Sequence, residues 1–203
     1  MEKVRKAFGR VQYNSPVILT YTLLCFAVLL LNLVTAGWTN VHLFSVYSSS
    51  WADPLFYIRL VGHVFGHADF AHFFNNFIII LLAGPMLEEK YGGKSMAVMI
   101  AGTAVVTGLV HVLVSDARLL GASGIGFSFI LLSSFVNLRR GRVPVTLLLC
   151  VAVFIGREVV NGIAAADNVS QLAHIVGGLC GAAFGFLMNR EKLIPAGGAA
   201  EIE

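Results

Sequence analysis

The sequence predicts an all-α membrane protein, a bundle of six transmembrane helices with a partly embedded outer loop between the first and second. Three observations predict it. The chain is too apolar for water, its apolar residues fall into runs long enough to cross a bilayer, and its basic residues are sorted to one side. Hydrophobic residues make up 57% of the 203 positions and charged residues only 12%, with a mean hydropathy of +0.81. A soluble domain carries about 25% charged residues, so this chain lacks the polar surface to stay in solution.

A spanning helix needs about 20 mostly apolar residues. The runs are Val17–Ala36, His72–Leu87, Ser95–Ser115, Ser123–Val136, Val143–Ile163 and Gln171–Met188. The first follows a basic leader (residues 1–16, with Lys3, Arg5, Lys6 and Arg10) and exceeds the about 7–15 apolar residues of a signal peptide. It reads as a retained span. Nothing divides residues 17–189, which form one domain, and the Gly-rich 190–203 tail is expected to be disordered. Cys25, Cys150 and Cys180 lie inside apolar runs and read as packing residues, not as a disulfide framework or metal cluster.

Charge sorting orients the bundle. With the N-terminus cytoplasmic, the leader, the 88–94 and 137–142 turns and the tail hold 11 of the 14 Lys and Arg residues. Only Arg59, Arg118 and Arg157 lie elsewhere. Such a bias sets orientation, and here it puts both termini in the cytoplasm. The net charge of +3 therefore reflects topology and calls for no nucleic-acid partner. Between the first two runs, Gly37–Ala71 carries Trp38, Phe44, Tyr47, Trp51, Phe56, Tyr57 and Phe65 without a long apolar stretch. Aromatic residues favour the bilayer interface, which predicts a loop sunk into the outer leaflet, against the plainer reading of an ordinary amphipathic loop.

Polar side chains within spans are costly and mark function. Ser123, His174 and His72 each lie 16 residues from a charged residue at the cytoplasmic end of their run: Arg139, Arg190 and Glu88. At about 1.5 Å per residue each sits roughly 24 Å above that boundary, a little below the outer surface of a core about 30 Å thick. A serine hydroxyl becomes a nucleophile when a base takes its proton, and histidine suits that task. Gly121-Ala122-Ser123-Gly124 permits a tight turn into a short span, although by itself this tetrapeptide reads more readily as a helix contact. Gly177, Gly181 and Gly185 follow His174 as a stripe for close approach. His72 and Asn76 share a helical face and can donate hydrogen bonds to an oxyanion. Asp53, Asp69, Asp116, Glu158 and Asp167 lie in or near outer loops, so a Ser–His dyad fits better than a triad. His63 and His67 have helix spacing and a metal site is the rival reading, but H-E-x-x-H is absent; hydrogen bonding within the loop is the favoured role.

With these residues the chain resembles the rhomboid family from about Val17 to Asn189. The motifs are Gly121-Ala122-Ser123-Gly124, Ala173-His174 with Gly177 and Gly181, the H-x3-H-x4-H-x3-N series His63, His67, His72 and Asn76, and the G-x3-E-x3-G series Gly84, Glu88 and Gly92. The resemblance implies an intramembrane serine endopeptidase that cleaves transmembrane protein substrates near the outer face of the bilayer. Ser123 is then the nucleophile and His174 the general base and acid. His72, Asn76 and the Ser123 N–H hold the oxyanion, Glu88 and the glycines are structural, and the fifth helix and adjoining loop serve as a lateral gate. No metal or organic cofactor is implied. The expected setting is a bacterial cytoplasmic membrane, with lipids and transmembrane substrates as partners; substrate-binding residues and oligomeric state are not legible. Two positions depart from the family pattern: Phe127 replaces a tyrosine beside the catalytic histidine, and Ile58-Arg59 replaces Trp-Arg in the outer loop. The alternatives are a catalytically silent binder, which commonly lacks the serine or histidine, and a channel or transporter, which would use an acidic relay.

Overall fold

A computed structural model describes residues 12–136, 142, 145–146, 148–153, 156 and 168–190. In chain order the named helices are α1 (Pro16–Val34), α2 (Trp38–His42), α3 (Pro54–Gly62), α4 (Phe70–Tyr91), α5 (Gly93–Val114), α6 (Ser123–Ser133) and α7 (Asn168–Met188), with a 3-10 turn at His63–Phe65 between α3 and α4. Among the described residues, four helices are long and apolar enough to cross a membrane: α1, α4, α5 and residues Gln171–Met188 of α7. These match four of the six expected spans, each within a few residues. The first begins at Pro16, inside the segment assigned to the leader. The fourth expected span is a shorter helix, α6, of 11 residues. Residues 145–146, 148–153 and 156 of the fifth are helical, and the rest of that run and the 191–203 tail lie outside the described residues.

α1 starts at Pro16 because proline at N1 gives up no helical hydrogen bond. Its Ser15 N-cap makes no side-chain cap. The Glu88 carboxylate, buried near the end of α4, accepts from Val17 N and Ile18 N at 3.0 Å each. A negative group at a helix N-terminus is favoured by the backbone dipoles, and this one joins α1 to α4. Gly92, with φ +81°, turns α4 directly into α5, a backbone region that costs an L side chain strain. A Cβ at Gly93 would touch Val17 Cγ2 at 3.2 Å, so the starts of α1 and α5 lie together.

The core is built from α1, α4, α5 and α6 around Ile18, Cys25, Leu29, Phe77, Ile80, Leu87, Met96 and Phe129. α6 sits at its centre: of residues 121–129 only Ser123 is not fully buried. α7 lies against α6 through its glycine stripe. A Cβ on Gly177 would collide with the Gly124 carbonyl, one on Gly181 with the Ser128 backbone, and one on Gly185 with the Phe135 ring at 2.6 Å.

The 37–69 loop contains two short helices and the 3-10 turn, more structure than its lack of periodicity predicts. It descends beside α1: the Tyr21 hydroxyl donates to the Val64 carbonyl at 2.8 Å. Tyr21 is only five residues into α1, about 8 Å along a helix about 28 Å long. Asp53 caps α3, accepting from Leu55 N at 2.9 Å, and pairs with the buried Arg59 at 2.7 Å. Arg59 also donates to Ser49 Oγ at 2.8 Å and stacks over Tyr47, whose ring faces Arg118 as well. Ile58 points outward and is 50% exposed.

Candidate active site

The site forms where the 115–122 connection turns into α6. Leu119 and Val46 exchange two backbone hydrogen bonds of 2.9 Å, an isolated antiparallel bridge between this connection and the long loop. His111 Nε2 holds the Ala117 carbonyl at 2.7 Å. Gly121 N donates to the His63 carbonyl at 2.9 Å, and Gly121 takes φ +125°, which glycine adopts freely. Three anchors thus fix the turn that delivers Ser123 as the first residue of α6. The opening N–H groups of a helix have no intrahelical acceptor, so the Ser123 N–H faces its surroundings as a donor.

α4 brings His72 and Asn76 to the same turn. A Cβ built on Gly121 would lie 2.7 Å from His72 Nε2 and 3.6 Å from Asn76 Nδ2. Glycine is therefore required at 121 for space as well as for backbone angle. Asp69 starts α4, accepting from His72 N at 2.7 Å. The Ala68 N–H donates to His72 Nδ1 at 3.4 Å. With Nδ1 accepting, the proton of the neutral ring sits on Nε2, the nitrogen that faces Gly121. Asn76 Nδ2 is buried and has no hydrogen-bond partner among the described residues. Two N–H donors therefore converge beside Gly121, two residues before the serine.

α7 brings His174 to the other side. Gly124, next to Ser123, sits where a Cβ would be 3.2 Å from the Ala173 carbonyl, and the His174 and Phe127 rings are 4.3 Å apart at 35°. Phe127 thus packs its ring against the histidine without a hydroxyl to offer. His174 and Ser123 are both partly exposed in an otherwise buried neighbourhood.

His63 and His67 stand behind the site. His63 Nδ1 contacts the Leu60 carbonyl at 3.1 Å and its Nε2 the Thr107 hydroxyl at 3.3 Å. The ring therefore ties the loop to α5, a wider role than hydrogen bonding within the loop. His67 Nδ1 contacts the Phe65 carbonyl at 3.2 Å, and Asn40 donates to the His67 carbonyl at 2.9 Å. Among the described residues no three His, Cys, Asp or Glu side chains form a group able to hold a metal. Asp53 and Asp69 are both helix caps, and the Arg59 guanidinium beside Asp53 holds its carboxyl below the usual carboxylate range. Thr107 and His111 were not singled out by motif. His111 nonetheless carries a signal, an ionisable residue inside the third apolar run.

Among the described residues, an all-helical bundle with four helices able to span a bilayer and a polar cluster gathered around one helix start defines an integral membrane protein. A Rhomboid domain model matches residues 55–191, more than half of the chain, and the chain belongs to the rhomboid family, a family of intramembrane proteases. Comparison with curated proteins finds no match.

Proposed function

We propose that the protein is an intramembrane serine endopeptidase that cleaves transmembrane protein substrates with a Ser123–His174 dyad. The observation that carries this reading is the convergence of α4 on Gly121 and of α7 on Gly124 and Phe127, on either side of Ser123. α6 supplies Ser123, α4 supplies His72 and Asn76 as donors, and α7 supplies His174 against Phe127.

Ser123 Oγ attacks the scissile carbonyl carbon as His174 takes its proton. The carbonyl oxygen becomes an oxyanion that accepts from His72 Nε2–H, Asn76 Nδ2–H and the Ser123 N–H. Donors fixed before the charge develops need no reorganisation, and one such donor is worth about 10²–10³-fold in kcat. The C–N bond then breaks, His174 returns its proton to the leaving amine, and the acyl group stays on Ser123. A water, deprotonated by His174, attacks the acyl carbonyl; the ester C–O bond then breaks, His174 returns the proton to Ser123 Oγ, and the new carboxyl terminus leaves.

The charge sorting of the sequence supports cytoplasmic termini and a site toward the outer face of the membrane. The aromatic composition of the 37–69 loop supports its partial embedding from the outer face, and its descent to Tyr21 carries its tip deeper than the outer leaflet. Detergent-purified or reconstituted protein should cleave a single-span substrate, and a fluorophosphonate probe should label Ser123. Ser123→Ala and His174→Ala should each abolish cleavage in folded protein. Full activity in Ser123→Ala would overturn the dyad, and a folded wild-type protein that neither cleaves nor labels would favour a silent client binder.

A further inference from the structure

A slot of about 450 Å³ opens on a side of the molecule away from Ser123, within the about 300–1,000 Å³ of small-molecule sites. Thr20 and Leu24 of α1 and Ala97 and Ala101 of α5 wall it, and Val61 and Phe65 of the long loop close one end. The buried Tyr21 lines it from the core side. Because α1 and α5 start together at Val17 and Gly93, the slot runs along both helices from their N-terminal ends toward the loop. Its reach from Val17 to Leu24 is about 10 Å at about 1.5 Å per residue.

What fills the slot follows from its lining. Water in a buried site needs two to four polar partners, and the Tyr21 hydroxyl is already committed to the Val64 carbonyl at 2.8 Å. Left empty, the lining atoms would forgo their dispersion contacts. Between membrane spans the matching filler is hydrocarbon. The loop closes the far end, so a chain lying along the slot puts its head at the N-terminal ends of α1 and α5. Exposed there are Lys94, one turn before Ala97, and the hydrogen-bonded Tyr13 and Thr20 hydroxyls, 3.0 Å apart. A cation and hydroxyls at the headgroup level suit an anionic phosphate ester. Glu88, the nearby buried acid, already accepts from two backbone N–H groups.

We propose that this slot binds one acyl chain of an anionic glycerophospholipid of the cytoplasmic leaflet, with its headgroup at Lys94. The leaflet assignment rests on the membrane orientation proposed above and is independent of the Ser–His chemistry. The bound chain packs beneath Phe65, in the same 3-10 turn whose His63 carbonyl holds Gly121. It therefore supports the loop that fixes the turn before Ser123.

The test titrates purified protein with phosphatidylglycerol or phosphatidylcholine and counts retained lipids by native mass spectrometry. Wild type should retain one phosphatidylglycerol in preference to phosphatidylcholine. Ala101→Phe, at an exposed position whose ring would fill the slot, should weaken retention on the order of tenfold, about 1.4 kcal/mol. Ala97→Leu fills the same slot independently and should act likewise. Lys94→Gln should abolish the headgroup preference. A lipid with a photoreactive chain end should cross-link to Leu24, Val61 or Phe65. Unchanged retention in both filling variants, or cross-links spread to Leu82 and Leu179 on other faces, would overturn the site. Labelling of Lys94→Cys from the outer side would overturn the leaflet assignment. None of these readouts uses proteolysis, so an inactive dyad would leave them unaltered.

Discussion

Gly177→Ala perturbs the site by one methyl group, one turn after His174. The added Cβ would lie 2.7 Å from both the carbonyl carbon and Cα of Gly124 and closer still to its oxygen. Ordinary contact begins at 3.4 Å, so the difference, 3.4 − 2.7, requires α7 to retreat from α6 by at least about 0.7 Å, on the scale of an overpacked core. Backbone, not a flexible side chain, is in the way, and Gly124 adjoins Ser123. The retreat therefore separates His174 from the serine. Misplacement by about 1 Å can cost on the order of 10²-fold in rate, while overpacking costs about 1–3 kcal/mol of stability. The assay is kcat/KM on a single-span substrate, paired with thermal melting. Gly102→Ala is the control, because a Cβ there meets nothing within 4 Å; it should leave activity unchanged. A folded Gly177→Ala protein with kcat/KM within twofold of wild type would refute the claim that the α6–α7 approach sets the dyad.

Glu88→Gln leaves one amide oxygen for two N–H groups, the part-buried Val17 N and the buried Ile18 N, and should lower stability by about 1–3 kcal/mol in a denaturant titration. Phe127→Leu removes the ring against His174; a stack worth about 0.5–1.5 kcal/mol predicts a loss of roughly two- to twelvefold in kcat/KM, with Phe127→Tyr close to wild type. The Asp53 carboxyl is held below its ordinary value chiefly by its hydrogen bond from Arg59. A depressed folded value means that the pair contributes stability fully above the unfolded carboxylate value of about 3.9 and loses it as pH falls through the folded one. Asp53→Asn should therefore melt below wild type at neutral pH, and that gap should close in strong acid. An equal gap at both would remove the ion pair from the account.

The residues gathered at the site were legible because intramembrane polar groups are rare enough to stand out. His72 and Asn76 share a face by spacing alone, and His174 and Ser123 are placed by depth. What periodicity cannot carry is pairing between distant segments. Glu88 reads as structural, yet nothing local says that it caps a helix 70 residues earlier. Val46 and Leu119 form no strand, so no alternating pattern announces their bridge. The loop's short helices escape for the same reason: α3 has nine residues, too few for a span, and its apolar side faces a bundle the sequence does not display. α6 shows the opposite failure. Its composition matches a span, but at 11 residues it is about half the length one needs.

That shortness connects the two parts of the molecule. A helix of 11 residues covers about 16 Å, so in the orientation proposed above its first residue is recessed and the chain before it runs through membrane-depth space. Unpaired backbone there is costly. The 115–122 connection meets this demand with loop partners, Val46 for Leu119 and the His63 carbonyl for Gly121, and with His111 for Ala117. The loop between the first two spans thus supplies the hydrogen bonds that hold the turn before Ser123, the proposed nucleophile. Its own brace, Asp53–Arg59–Tyr47–Arg118, reaches the same connection one residue before Leu119. Loosening that brace should move Ser123 while leaving the α1–α4–α5 core intact, so loop substitutions should lower activity at temperatures well below those that unfold the spans.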